Sequence, residues 1–226
     1  MNYDLILFDA DGTLFNFDKA EKEAFKKAMN AFGINDDLTI LHQNYEKINK
    51  AIWQDFQDKK ISSTKLRTER FRIFAENNKL NIIPEKISPT YLTYLSQGTH
   101  LLAGAEEIVE YFHNKCEMAL ATNGLSDVQR PRFAVSKLAK YFKHIFISEE
   151  IGYPKPYKEY FEYIFKKLPY KNSTIIIGDN LSSDIKGGND FGIDTCWFNP
   201  QKLKNNTNII PTYEIQGLSE LKEILV

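Results

Sequence analysis

Short apolar segments that alternate with helical patterns are the feature that most constrains the fold of this 226-residue chain. Leu5–Phe8 is the first, an apolar run ended by an acid, which is typical of a strand buried on both faces. The other predicted strands are Met118–Ala121, Ile145–Ile147, Ile175–Ile177, Thr195–Phe198 and a short C-terminal strand, Tyr213–Ile215. Helical patterns lie between these strands, at Ala105–His113, Asp127–Ala139, Tyr157–Leu168 and Ser183–Phe191. Because strands that alternate with helices build βαβ units, we predict an α/β fold with a parallel sheet.

Residues 17–97 interrupt this alternation, directly after the first strand. Apolar residues recur there at helical spacing in four successive stretches, and Gly33 follows the first of them where a helix would end. These stretches are Phe17–Phe32, Leu38–Phe56, Leu66–Phe74 and Tyr91–Leu95. We therefore expect an α/β core of residues 1–16 and 98–226, into which a helical domain of residues 17–97 is inserted.

Composition excludes several classes of protein. A formal net charge of −1 removes the bulk electrostatic case for binding a nucleic-acid polymer or an anionic membrane. Cys116 and Cys196 lie far apart in the sequence, so a disulfide framework is not expected. No apolar run approaches the roughly 20 residues needed to span a bilayer, and the N-terminus does not have the pattern of a signal peptide. We expect a cytoplasmic protein, and nothing in the sequence indicates its oligomeric state.

Two acid pairs follow predicted strands. Asp9 and Asp11 come after the first strand, and Asp179 and Asp184 come after the fourth. The carboxyl ends of parallel strands meet at one edge of the sheet, where open α/β sheets bind ligands. Carboxylate oxygens suit a hard cation such as Mg²⁺, or Mn²⁺. A lone acid pair of this kind is also common in solvated turns.

Two further motifs lie near strand ends. Thr122-Asn123-Gly124 ends the second strand and can hold an anion with its backbone N–H groups, although a plain turn would look the same. Lys155 stands between two prolines, which restrict its backbone, although most lysines are merely solvated.

In order and spacing, these four motifs resemble those of the haloacid dehalogenase-like hydrolase superfamily, and the helical insert resembles its cap domain. The likeness is closest to bacterial nucleotidases that act on pyrimidine 5′-monophosphates. It is carried by the stretches Asp9–Asp18, Asn49–Phe56, Thr122–Gly124, Ile147–Lys155, Gly178–Gly188 and Thr195–Trp197. The resemblance implies a Rossmann-like core with an α-helical cap, and a Mg²⁺-dependent phosphomonoesterase whose substrate is a small phosphate ester.

The resemblance also implies a role for each motif residue. Asp9 would be the nucleophile that forms an aspartyl-phosphate, and Asp11 the general acid and base. Lys155 would neutralise the phosphoryl charge. Thr122, the amide of Asn123 and Gly124 would bind phosphate. The Mg²⁺ ligands would be the carboxylates of Asp9, Asp179 and Asp184 and the backbone carbonyl of Asp11.

Other residues are candidates for contacting the substrate. Phe15 and Asn16, just past the first acid pair, could close over the leaving group, and Arg70 could contact it. Trp53 could stack on a base, although an aromatic residue on such a helix is more often part of the core.

Three alternatives remain open. Sugar-phosphate phosphatases and phosphomutases share the motifs and differ mainly in the cap. A catalytically idle nucleotide-binding module could keep the same fold. Dehalogenation is disfavoured because a dehalogenase of this superfamily lacks an acid at the position of Asp11.

Overall fold

The computed structural model of this chain describes residues 2–35 and 37–226. The described residues form one parallel sheet of six strands, in the order β3-β2-β1-β4-β5-β6. The strands are β1 (Leu5–Phe8), β2 (Glu117–Thr122), β3 (His144–Ile147), β4 (Thr174–Gly178), β5 (Asp194–Phe198) and β6 (Tyr213–Ile215). The predicted α/β fold with a parallel sheet is confirmed. Several strands extend past their predicted ends. The apolar pattern missed the added residues, such as Glu117 and Asp194, because they are polar or small.

The described residues also form ten helices. They are α1 (Phe17–Ala31), α2 (Leu38–Gln57), α3 (Ser63–Asn78), α4 (Pro84–Ser96), α5 (Ala105–Phe112), α6 (Ser126–Ala134), α7 (Ser148–Ile151), α8 (Lys158–Lys167), α9 (Lys186–Phe191) and α10 (Leu221–Ile224). Short 3₁₀ turns lie at Ala139–Tyr141, Lys171–Ser173 and Leu218–Glu220, and a π-helical turn at Leu181–Ile185 precedes α9. The described part of the chain holds no helix that is long and apolar enough to cross a membrane.

The chain divides into two compact units. The sheet unit comprises Met1–Phe17, Thr99–Ser126 and Phe133–Val226, and the helical unit comprises Asp18–Gly98 and Asp127–Arg132. The expected division into a core of residues 1–16 and 98–226 and an insert of residues 17–97 stays a prediction, and in the structure the middle of α6 groups with the helical unit. The hydrophobic pattern of α6 could not indicate this.

The central strand β1 has a continuous apolar sequence because both of its faces are buried. Leu5 and Leu7 belong to the apolar cluster that includes side chains of α8, and Ile6 and Phe8 belong to the cluster that includes those of α5. Successive side chains of a strand point to opposite faces, so both sets are removed from water. The carboxyl end of β1 therefore lies in the middle of the sheet edge, flanked by β2 and β4.

Inside the helical unit, a hydrogen-bonded network joins α1, α2 and α3. The Asn49 side chain donates to Glu21 Oε1 at 2.6 Å, and Arg70 Nη1 donates to Asn49 Oδ1 at 3.1 Å. All three residues are buried, and the Arg70 guanidinium lies 5.0 Å from the centre of the Tyr91 ring. Arg70 is 1% exposed, and the hypothesis that it contacts the leaving group stays a prediction. Asn49 links it by hydrogen bonds to the buried carboxylate of Glu21.

We expect Asn49→Leu to lower the free energy of unfolding of the helical unit by about 3 kcal/mol or more, because it removes two hydrogen bonds to buried charged groups. Asn44→Leu, on the same helix, is the matched control: it removes one neutral hydrogen bond, to Asn78, and should cost about 1 kcal/mol. Urea unfolding followed by circular dichroism measures both losses. Equal losses at the two positions would contradict the importance assigned to the network.

Candidate active site

The polar motifs converge because they follow neighbouring parallel strands. Asp9 follows β1, Thr122 ends β2, and Asp179 follows β4. These three strands are adjacent in the sheet, so their carboxyl ends lie side by side. Lys155 comes from the connection between α7 and α8, and Asp184 from the π-helical turn after β4.

Lys155 occupies the centre of the site. Its Nζ lies 2.6 Å from Asp9 Oδ1 and 2.6 Å from Asp184 Oδ1, and it also donates to the backbone oxygen of Ala121. The side chain is 1% exposed, so the interpretation of Lys155 as a solvated lysine is wrong. Burial alone would lower the pKa of the ammonium group, but the carboxylates of Asp184 and Asp9 outweigh burial and raise it. Lys155 is therefore a permanent positive charge inside the sheet edge.

Asn123 holds the backbone of Lys155 in place. The backbone N–H of Lys155 donates to Asn123 Oδ1 at 2.8 Å, and Asn123 Nδ2 donates to the Lys155 carbonyl at 2.9 Å. The carboxamide is thus engaged through both its oxygen and its nitrogen, and phosphate binding by the Asn123 backbone N–H stays a prediction. Sequence reasoning missed this link because the two residues are 32 positions apart.

Three carboxylates surround Lys155. Oxygen atoms of Asp9, Asp179 and Asp184 lie within 4.8 Å of one another. Burial raises the pKa of Asp9 well above its ordinary value, and the negative charges of Asp184 and Asp179 add to the rise, against the opposing effect of Lys155. Asp179 is exposed as a whole residue, but protein atoms surround its carboxyl group. This local burial, together with the charge of Asp184, raises the pKa of Asp179 to about 7.

This cluster fits a divalent cation. When all three carboxylates are ionised, one lysine leaves two negative charges uncompensated, and each of the three acids offers a carboxylate oxygen as a donor. Hard divalent ions such as Mg²⁺ and Mn²⁺ prefer such oxygen donors. A bound cation would also offset the repulsion that raises the pKa of Asp9.

Two glycines allow the carboxylates to approach so closely. A Cβ atom at Gly12, whose φ is +80°, would lie 2.5 Å from Asp179 Oδ2. A Cβ atom at Gly178 would overlap the carboxyl group of Asp184. Glycine is therefore required at both positions for space, and at Gly12 also for its backbone conformation.

Asn180 shapes the turn that presents Asp184. Its Oδ1 accepts from the backbone N–H groups of Ser182 at 2.9 Å and Ser183 at 3.1 Å, and its own N–H donates to Asp184 Oδ2 at 3.2 Å. Asn180 therefore caps this turn. An asparagine directly before the turn was the available signal.

The Thr122–Gly124 turn is closed by its own side chain. Thr122 is 2% exposed, and its Oγ1 accepts from the backbone N–H of Gly124 at 3.0 Å. The backbone N–H of Gly124 therefore donates to Thr122 in this conformation. Phosphate binding by Thr122, Asn123 and Gly124 stays a prediction.

The remaining candidates have the following surroundings. Asp11 is half-buried and pairs with Phe15 in an isolated bridge. Phe15 packs edge-on against Phe133 in the core at 1% exposure, so any contact with substrate would come from its backbone. The N–H of Asn16 donates to the His100 carbonyl.

Trp53 lies on α2 in the helical unit. It is half-buried and edge-on to Phe56, and its part in binding stays a prediction.

Comparisons with known proteins give the site a family context. A family model for haloacid dehalogenase-like hydrolases matches residues 3–192. The chain is 36% identical to the HAD-hydrolase YfnB of Bacillus subtilis, over 99% of this chain and 95% of YfnB. It is 36% identical to the pyrimidine 5′-nucleotidase PynA of Streptococcus pneumoniae, over 100% and 96% of the two chains. It is 33% identical to the pyrimidine 5′-nucleotidase YjjG of Escherichia coli, over 100% and 99%.

Solved structures agree in fold. A crystal structure of Bacillus subtilis YfnB bound to magnesium superimposes with a TM-score of 0.91 at 36% identity, covering 99% of this chain and 98% of that one. The L-2-haloacid dehalogenase of Xanthobacter autotrophicus has a TM-score of 0.80 at 14% identity, with coverage of 99% and 98%. The latter likeness concerns the fold alone.

We expect Gly178→Ala to weaken divalent-cation binding at least about tenfold, because the added methyl group must displace Asp184. Gly217→Ala is the matched control, since its Cβ would make only ordinary contacts, the nearest at 3.5 Å. Isothermal titration with MgCl₂ measures both affinities, and circular dichroism checks that each variant is folded. Equal dissociation constants in folded variants would contradict the glycine requirement.

Proposed function

Because the chain belongs to the haloacid dehalogenase-like hydrolase family and is a phosphoric monoester hydrolase, we propose that it hydrolyses nucleoside 5′-monophosphates, pyrimidine nucleotides in particular, with Mg²⁺. The observation that carries the proposal is the buried Asp9 carboxylate. It is ion-paired with Lys155 within a cluster whose charge and oxygen donors fit a divalent cation. The names of the PynA and YjjG relatives support the substrate class.

Asp9 is the nucleophile of the proposed reaction. One of its carboxylate oxygens attacks phosphorus, the bond from phosphorus to the ester oxygen breaks, and an aspartyl-phosphate forms. Lys155 opposes the protonation of Asp9 and places a positive charge where the phosphoryl group enters. Mg²⁺, held by Asp9, Asp179, Asp184 and the Asp11 carbonyl, would offset the repulsion between carboxylate and phosphate.

Asp11 moves the protons. Its carboxyl group first donates a proton to the leaving ester oxygen, which departs as the nucleoside hydroxyl. The resulting carboxylate then takes a proton from water as that water attacks the phosphorus of the aspartyl-phosphate. The bond between phosphorus and the Asp9 oxygen breaks, inorganic phosphate leaves, and the Asp9 carboxylate is regenerated. Asp11 is half-buried, and its charge contributes to the raised pKa of Asp179, so it acts on the acid cluster and is also accessible to solvent.

The alternatives differ in substrate rather than in chemistry. A sugar-phosphate phosphatase would use the same residues, and a phosphomutase would protect the aspartyl-phosphate from water and depend on a bisphosphate. Two relatives above 30% identity, PynA and YjjG, are named as pyrimidine 5′-nucleotidases, which favours the nucleotide. An idle binding module would have no need for Lys155 and three acids together.

We expect Mg²⁺-dependent phosphate release to be fastest with pyrimidine nucleoside monophosphates, in a panel that also holds purine nucleotides and sugar phosphates. Asp9→Asn should abolish turnover, and Asp11→Asn should lower kcat by about 10²- to 10⁴-fold, the usual contribution of a general acid and base. Asp190→Asn is the control, since it removes only an exposed surface ion pair with Lys186.

Each other outcome of this assay has a defined meaning. Preference for sugar phosphates would overturn the nucleotidase proposal and leave the mechanism intact. Full activity of Asp9→Asn would overturn the mechanism. A folded wild-type protein that releases no phosphate from any member of the panel would overturn the proposed activity.

A further inference from the structure

Trp197 contacts the metal-ligand loop from the neighbouring strand. It lies on β5, its register partner on β4 is Gly178, and its Nε1–H donates to the backbone oxygen of Asp179 at 2.9 Å. The residue is 4% exposed, so this hydrogen bond is shielded from water. No role for this indole follows from the four motifs.

This hydrogen bond lies just beyond the end of the β4–β5 pairing. Gly178 is the last residue of β4, and the pairing of β4 with β5 ends at Gly178 and Trp197. Asp179 is thus the first residue beyond the ladder, where its carbonyl has left the pattern of strand-to-strand hydrogen bonds. The indole N–H supplies the hydrogen bond that a neighbouring backbone N–H would otherwise make to the Asp179 carbonyl, so the link between β4 and β5 continues for one more residue.

That one residue carries a carboxylate of the cation site. Asp179 is exposed as a residue, whereas Asp9 and Asp184 are buried and ion-paired with Lys155. Among the three acids, Asp179 therefore depends most on its backbone for its position. The Gly12 backbone lies beside the Asp179 carboxyl group, and the Trp197 indole N–H donates to the Asp179 carbonyl.

We propose that Trp197 is a positioning residue: its indole N–H holds the Asp179 backbone so that the Asp179 carboxylate is preorganised for the divalent cation. The proposal rests on the proposed function only in taking the acid cluster as the cation site. Removing a group that orients a metal ligand typically lowers metal affinity about 10- to 100-fold. Trp197 should contribute near the lower figure, because it acts through the backbone.

The test compares Trp197→Phe with two control variants by isothermal titration with MgCl₂. Trp197→Phe removes the N–H donor and keeps an aromatic ring, and it should raise the dissociation constant about tenfold. Phe198→Leu, at the next position of β5, loses buried apolar surface without losing a bond to Asp179, and Trp53→Phe makes the same exchange in the helical unit. Both controls should bind Mg²⁺ like the wild type.

Two further readouts separate positioning from a general loss of packing. In the Trp53→Phe background, Trp197 is the only tryptophan, so its emission should change on titration with MgCl₂ and report the same dissociation constant. At saturating Mg²⁺, Trp197→Phe should regain most of the wild-type kcat, because cation occupancy is what it has lost. If Trp197→Phe does not fold, benzothienylalanine at position 197, which has sulfur in place of the N–H, makes the same test with little change in shape.

The outcomes distinguish this proposal from the proposed function. Unchanged Mg²⁺ affinity in folded Trp197→Phe, or an equal loss in Phe198→Leu, would overturn the positioning role, even if the wild type hydrolyses nucleotides. A selective loss of affinity in Trp197→Phe supports the role, even if the wild type releases no phosphate from the panel.

Discussion

The ion pairs of Lys155 are the interaction on which the site depends. A buried ammonium group is costly unless it is paired, and Lys155 is paired with Asp9 and Asp184, both close to the same Nζ. The reverse also holds, because the buried Asp9 and Asp184 would repel each other without it. One side chain therefore lets acids from two different strand ends share a small volume. The excess negative charge that remains is what makes the cluster suited to a divalent cation.

The parallel sheet supplies the geometry that these charges require. β1, β2 and β4 are neighbours, so their polar ends meet without any contribution from long loops. Gly12 and Gly178 remove the side-chain atoms that would keep the carboxylates apart. Asn123, Asn180 and Trp197 then fix the backbones that carry Lys155, Asp184 and Asp179. Charge, space and backbone support thus come from different residues.

The helical unit follows a different principle. It buries Glu21 and Arg70 at a distance from each other and joins them through the Asn49 carboxamide. Removing any one of the three leaves a buried charged or polar group without its partner. Such a network favours one packing of α1, α2 and α3 over alternatives with the same apolar pattern. Asn49 comes from a stretch that carries the family resemblance and Arg70 was a candidate for contacting the substrate, but in the structure both hydrogen-bond inside the helical unit.

Local sequence was sufficient to predict the strands along the chain and the parallel sheet, and it showed acids directly after two of those strands. Buried strands have continuous apolar runs, and an acid directly after such a run must lie at the sheet edge. The sequence could not indicate that Asn123 holds Lys155, that Arg70 is buried, or that Trp197 reaches the Asp179 carbonyl. These contacts join residues far apart in the chain, and their partners depend on how strands and helices pack. Residue types and spacing thus determined which chemistry is present, and only the tertiary structure decided which side chains perform it and which support them.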